Sequence, residues 1–160
     1  MKNIFTTLTI IIIISNLSCN SVDNSHKITE DQVKDTISNF FSSNEIGSEL
    51  NTNNYVTDDF KIVELGGPYT LDEFWALIAE SQGENIAVSR KWDLSNWSIS
   101  IDVNSAHVSY KNNGTFVTSI DGQEVTTNPV WLESGYLVLT DGKLKIKYFQ
   151  SEEVSDYLSK

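Results

Sequence analysis

The apolar residues of this chain change period at Arg90. Before it they recur every three or four positions, and after it every second position. The first spacing lines side chains along one side of a helix, the second along one face of a strand. Helices followed by hairpins make an α+β domain whose helices cover one face of an antiparallel sheet.

Two helix starts are written in the sequence. Thr29 and Gln32 have the spacing of a capping box, with Ile28 and Val33 flanking it as a hydrophobic staple. Val33, Ile37, Phe40 and Phe41 then fall on one side, and Ser42-Ser43-Asn44 ends the helix. A short helical piece is expected around residues 49–55, although Asn51, Asn53 and Asn54 disfavour it. Phe60 to Leu65 reads as a strand closed by Gly66-Gly67-Pro68. Thr70 and Glu73 form a second capping box, with Leu71, Phe74, Trp75 and Ile78 on one side and Gly83 as the stop.

From there Trp97, Ile99, Ile101 and Val103 alternate with polar residues, as do Ala106, Val108 and Tyr110. Asn112-Asn113-Gly114 reads as a turn before Phe116-Val117, and Asp121-Gly122 and Asp141-Gly142 as tight hairpin turns. Val130 to Thr140 is a long strand. In the last strand Leu144, Ile146 and Tyr148 are expected inward, and Lys143, Lys145 and Lys147 outward as a solvated face. No internal repeat or shift of composition marks a second domain.

The start of the chain has the plan of an export signal. Lys2 precedes an apolar stretch, Ile4 to Ile14, interrupted by three threonines. At about 1.5 Å per residue that stretch reaches roughly half of a ~30 Å hydrocarbon core. Asn16-Leu17-Ser18-Cys19 resembles a lipobox, the site where bacterial signal peptidase cuts before a lipid-modified cysteine, though Asn16 stands where an aliphatic residue is usual. Cys19 is the only cysteine in the chain, which excludes an intramolecular disulfide, and it falls at this boundary. The expectation is a signal peptide over 1–18, a lipidated Cys19 with a polar tether over 19–27, and a domain over 28–160. Two or three acyl chains would anchor it durably in the cell envelope, facing the periplasm or the cell surface. His26, in the tether, has no assigned role.

Charge narrows the partners. The formal net charge is −11, and loss of Lys2 with the leader leaves ten Lys and Arg against 22 Asp and Glu, or −12. Such a field repels phosphate backbones, so no nucleic acid is expected as a partner. Its plainest role is solubility.

The order of elements resembles the nuclear transport factor 2-like superfamily in its SnoaL-like branch, over most of Thr29 to Val154. The run from Trp131 to Tyr148 is similar to that group's final hairpin, a tryptophan-led strand, a D-G-K turn at Asp141-Gly142-Lys143 and a returning strand. Tyr55-Val56-Thr57-Asp58-Asp59-Phe60 resembles its passage from the second helix into the first strand. The resemblance implies a cone: N-terminal helices packed in a strongly curved antiparallel sheet, with a cavity at the open end. That fold hosts isomerases, dehydratases, cyclases and non-catalytic domains, so it does not name a reaction.

For steroid-isomerase-like members the resemblance implies a carboxylate base on the first strand, which falls at Glu64. It also implies hydrogen-bond donors for the developing enolate oxygen. The first, a tyrosine on the first helix, falls at Phe40 or Phe41, which cannot donate. The second, a protonated acid on the penultimate strand, falls near Glu133-Ser134 and stays open. A dehydratase-like histidine–aspartate pair would need His107 with Asp93 or Asp102, but His107 has the opposite parity to Ala106, Val108 and Tyr110 and is expected to face outward. With His26 as the one other histidine, no metal site is expected, and no cofactor is implied. A Gly-x-Ser-x-Gly elbow and a phosphate-binding glycine loop are both absent.

Most of the large rings, Trp75, Trp92 and Tyr136 among them, are expected in packing. The candidates for lining a cavity are Phe41, Glu64, Trp97, Trp131, Tyr148 and Gln150. The expected function is therefore an anchored lipoprotein whose domain binds a small apolar ligand or a protein partner without catalysis. The alternatives are an isomerase- or dehydratase-type enzyme with Glu64 as general base, and a structural homodimer.

Overall fold

The structure, a computed structural model, describes residues 27–154. The expected leader, Cys19 and His26 lie outside the described residues, as does 155–160. Both capping boxes form. Thr29 Oγ1 accepts the amide of Gln32 at 3.2 Å and Gln32 Oε1 the amide of Thr29 at 2.9 Å, starting α1, Glu30–Ser42. Thr70 and Glu73 repeat this at the start of α2, Leu71–Gln82, which Gly83 ends. The helical piece expected near 49–55 is one 3-10 turn, Thr52–Asn54. No helix among the described residues is long and apolar enough to cross a membrane.

Seven strands form one sheet, two before α2 and five after it: β1 (Val56–Glu64), β2 (Gly67–Tyr69), β3 (Ile86–Ile101), β4 (Ser105–Ile120), β5 (Gln123–Thr127), β6 (Val130–Thr140) and β7 (Lys143–Glu153). Their order is β2-β1-β7-β6-β4-β3, with β5 added to β4. Every pairing is antiparallel except that of β1 with β7, which is parallel. At Asp121-Gly122 (φ 50° and 77°) and Asp141-Gly142 (51° and 73°) both central residues are left-handed, the turn that matches the twist of hairpin strands.

The sheet curls around α1. Val33, Ile37, Phe40 and Phe41 are buried against Val108, Leu137, Ile146 and Phe149. Val33 and Ile37 are wholly inaccessible, and truncating a side chain such as Ile37 to alanine removes about 2–5 kcal/mol.

Two bulges set which side chains look inward. In β3, Asn96 (φ 57°) and Trp97 lie between the pairs Ser95–Lys111 and Ser98–Ser109, opposite Tyr110 alone. In β7, Lys147 is the extra residue between the pairs Tyr136–Tyr148 and Leu137–Ile146. An extra residue inverts the alternation beyond it. Ile146 is buried, but so are Phe149 and Ser151, while Tyr148 and Gln150 are exposed. Tyr148, expected inward, is thus on the outer face.

The turn expected at Asn112-Asn113-Gly114 does not exist. β4 runs through it without a break, paired with both β3 and β6. Asn112 is wholly buried rather than solvated, and Gly114 serves the ring of Trp131. A Cβ on Gly114 would lie 2.8 Å from Trp131 Cζ3 and 3.1 Å from Phe116 Cζ.

Candidate functional site

Between α2 and the concave face of the sheet lies a cavity of about 160 Å³. Its walls are aromatic for a local reason: strand parity and helix spacing put rings on the same side. From α1 come Phe40 and Phe41, and from α2 come Phe74, Trp75 and Ile78. Trp92, Phe116, Trp131 and Phe149 come from the sheet. Ring contacts run continuously from Phe41 to Trp92 (5.6 Å), Trp92 to Phe116 (5.6 Å) and Phe116 to Trp131 (5.7 Å).

Polar groups cross this apolar chamber in a row. Glu133 on β6 is paired directly with Tyr110 on β4 and with Ser151 on β7. Glu64 ends β1 one residue past the Val63–Gln150 pair, on the face it shares with Phe60 and Ile62. Four adjacent strands thus bring Tyr110, Glu133, Ser151 and Glu64 to one side. Asn112 Nδ2 donates to Glu133 Oε2 at 3.2 Å, and Ser151 Oγ to Glu133 Oε1 at 3.2 Å. Tyr110 Oη is buried beside the same carboxyl, short of a well-formed hydrogen bond, and Asn112 Oδ1 is buried without a partner.

Burial governs the protonation of both acids. Desolvation raises Glu133 to about 8 against the downward pull of the neighbouring Tyr110 hydroxyl and of the hydrogen bonds from Asn112 and Ser151, and the charge of Glu64 adds to the rise. Glu64 is raised to about 7 by desolvation and then by the charge of Glu153. Tyr110, buried next to Glu133, is held well above its ordinary range, so it stays a phenol. At neutral pH the chamber therefore holds one carboxyl that is largely protonated and another poised between its two forms. A poised carboxylate can accept a proton and a protonated one can donate a hydrogen bond.

Of the six expected lining residues, the structure brings three together: Phe41, Glu64 and Trp131. Trp97 is partly buried, its ring 4.7 Å from that of Tyr110, and does not form the wall. Tyr148 is on the outer face, and Gln150 lines a shallow groove with Leu65, Gly66, Glu152 and Glu153. His107 is exposed opposite Ser100 and Tyr136, as its parity implied, and is not paired with Asp93 or Asp102. Among the described residues no three His, Cys, Asp or Glu side chains gather as a metal site would require. Sequence reasoning missed Arg90, Asn112 and Ser151. The signal for Ser151 was hidden by the bulge, and that for Asn112 by a tripeptide that reads as a turn.

No family model matches the chain, and no curated protein matches its sequence. Solved structures do match in shape. A type 2 hexachlorocyclohexane dehydrochlorinase is 12% identical with a TM-score of 0.62, over 77% of this chain and 83% of that one. A candidate dehydratase of the nuclear transport factor 2-like family from Streptomyces avermitilis is 15% identical with a TM-score of 0.61, over 78% and 95%. The CaMKII hub of S. rosetta is 14% identical with a TM-score of 0.60, over 78% and 95%. At these identities the likeness is one of fold. The chain has the nuclear transport factor 2-like cone.

Proposed function

We propose that this chain is an envelope lipoprotein, anchored through Cys19, whose cone takes up a small and mainly apolar carbonyl compound and moves a proton on it. The observation that carries the reading is the placement of Glu64 and Glu133 on the wall of one aromatic cavity, both with raised proton affinity. A purely passive apolar binder gains nothing from two buried acids, since each penalises folding when ionised. The expected non-catalytic role gives way to the enzyme alternative on this ground. Neighbours of the same fold include a dehydrochlorinase and a candidate dehydratase, which is compatible with it.

In this reading the ionised Glu64 carboxylate takes a proton from the carbon next to the carbonyl. The electron pair of that C–H bond becomes a carbon–carbon double bond as the carbonyl π pair moves onto the oxygen, where the protonated Glu133 supplies a hydrogen bond to the developing negative charge. The proton held on Glu64 exchanges with solvent, and Glu64 then delivers a proton to the original or to a conjugated carbon, so atoms and charge balance. Phe41, Trp92 and Trp131 hold the ring system in place.

The test needs no natural substrate. Exchange of the α-protons of 2-tetralone in D2O, followed by NMR, should run faster with the protein than with buffer. Glu64→Gln should remove that acceleration, a general base contributing about 10²–10⁴-fold. Equal rates for the parent protein and the variant would rule the reading out.

A second reading, that copies of the domain pair, rests on the outer face of the sheet. Tyr136 and Tyr148 sit directly opposite each other there, about 40% exposed, with Leu132 more exposed still. Sedimentation of the soluble domain decides it.

A further inference from the structure

Among the described residues, Arg90 is the one cation on the cavity wall. It stands on β3 opposite Phe116 and two residues from Trp92, so its partly buried side chain is framed by aromatic rings. Its guanidinium makes no ion pair or side-chain hydrogen bond among the described residues. This is unexpected in a chain with 22 acidic residues and 11 basic ones, where an acid to pair with it is easily supplied. Nor do the two buried acids serve: the charges acting on them are Glu153 for Glu64, and Glu64 for Glu133. A guanidinium is always charged, and its planar fork of donors matches a carboxylate in a two-point contact. Left bare in an apolar frame, it loses hydration without gaining a partner.

The cavity therefore has two poles. At one end stand two carboxyls, Glu133 able to donate a hydrogen bond to a neutral oxygen and Glu64 whose ionised form repels an anion. At the other end stands a cation with no counter-charge. The Arg90–Phe116 pair lies four residues along β4 from Asn112, which holds Glu133. At about 3.3 Å per residue that is roughly 13 Å of flat strand. The inward reach of the side chains leaves the length of a bicyclic ring between the poles.

We infer that the ligand of this cavity is an aromatic or polycyclic carboxylic acid, its carboxylate gripped by Arg90 and its neutral oxygen turned to Glu133. The inference rests on the proposed cavity function and adds the class of molecule and its orientation. It also gives Arg90 a job in specificity, because the acidic surface around the domain otherwise disfavours anions.

The test compares two probes of one shape, naphthalene-2-carboxylate and naphthalene-2-carboxamide, by titration calorimetry on the soluble domain. The carboxylate should bind at least tenfold more tightly than the carboxamide. Arg90→Gln should abolish that preference without weakening the carboxamide, and Arg90→Lys should keep part of it. Equal affinity for the two probes, or a preference that survives Arg90→Gln, overturns the inference while the cavity reading stands. Absence of binding by either probe at millimolar concentration overturns both. A preference that depends on Arg90, in a protein whose tetralone exchange ignores Glu64→Gln, leaves the anion site and removes only the reaction.

Discussion

Asn112 reaches across from β4 to hold the carboxyl of Glu133, its Nδ2 lying 3.2 Å from Glu133 Oε2 in a wholly buried contact. The bond does not offset the burial of that carboxyl, which stays protonated to about 8. In the unfolded chain the same group titrates near 4.5. Between those two values the folded state holds a proton that the unfolded state has released. Its contribution to stability is complete below about 4.5 and is lost as pH rises through the folded value. The loss is about 1.4 kcal/mol for each pH unit in that window.

Glu133→Gln removes this dependence. The amide is neutral at every pH, keeps the shape, and can still bond Asn112 and Ser151. Urea unfolding at pH 5, 7 and 9 should show the variant close to the parent at pH 5 and more stable by a few kcal/mol at pH 9. A shallower fall persists in the variant up to about 7, because Glu64 is also raised. Parallel stability curves for the two proteins would mean that Glu133 is ionised throughout.

The same two groups set the pH dependence of the proposed proton transfer. Glu64 must be ionised, so the rate climbs as pH approaches about 7, and Glu133 must be protonated, so it declines beyond about 8. The expected profile for tetralone exchange is a narrow bell. Glu133→Leu, which leaves no donor, should lower the maximum roughly 10²-fold, the effect of losing one donor to a developing oxyanion, and flatten the alkaline limb. A variant that keeps the alkaline limb would assign that limb to another group.

Much of this architecture was legible because its causes are local. A capping box is a matter of two residues three positions apart, and both Thr29–Gln32 and Thr70–Glu73 form as their spacing implies. Asp121-Gly122 and Asp141-Gly142 encode their turns in two residues each. Glu64 came from the resemblance rather than from a local signal, and its cavity-facing side agrees with the parity of Phe60 and Ile62. What stayed hidden depends on long-range pairing. Nothing near Lys147 announces that it is an extra residue. Reading straight through it turned Tyr148 and Gln150 inward and hid Phe149 and Ser151. Asn112-Asn113-Gly114 has the composition of a turn, yet Asn112 is needed by Glu133, which lies 21 residues away in sequence. A propensity cannot register such a partner.

Gly114 gives a direct check on that tripeptide. In an exposed turn, alanine there would be a mild change. Inside β4 the new methyl would meet the Trp131 ring at 2.8 Å, so the indole must swing toward the cavity. Gly114→Ala is expected to lower stability by about 1–3 kcal/mol, the usual effect of overpacking. It should also weaken naphthalene-2-carboxylate binding, with a shift in tryptophan fluorescence. Unchanged stability and binding would place Gly114 in open space.

Trp131 and Tyr148 stood together as candidate lining residues, and the bulge at Lys147 separates them. Trp131 closes the cavity between Phe116 and the Glu133 row, whereas Tyr148 sits opposite Tyr136 on the outside. Trp131→Ala removes a ring from the wall, so naphthalene-2-carboxylate should bind at least tenfold more weakly, with some loss of stability from the enlarged cavity. Tyr148→Ala touches no part of the wall and should leave that affinity within twofold. If copies pair through the outer face, Tyr148→Ala instead lowers the sedimentation coefficient at concentrations where the parent is dimeric. Binding that weakens equally in both variants would place the two rings on one side of the sheet, against the inverted parity from which the polar row is built.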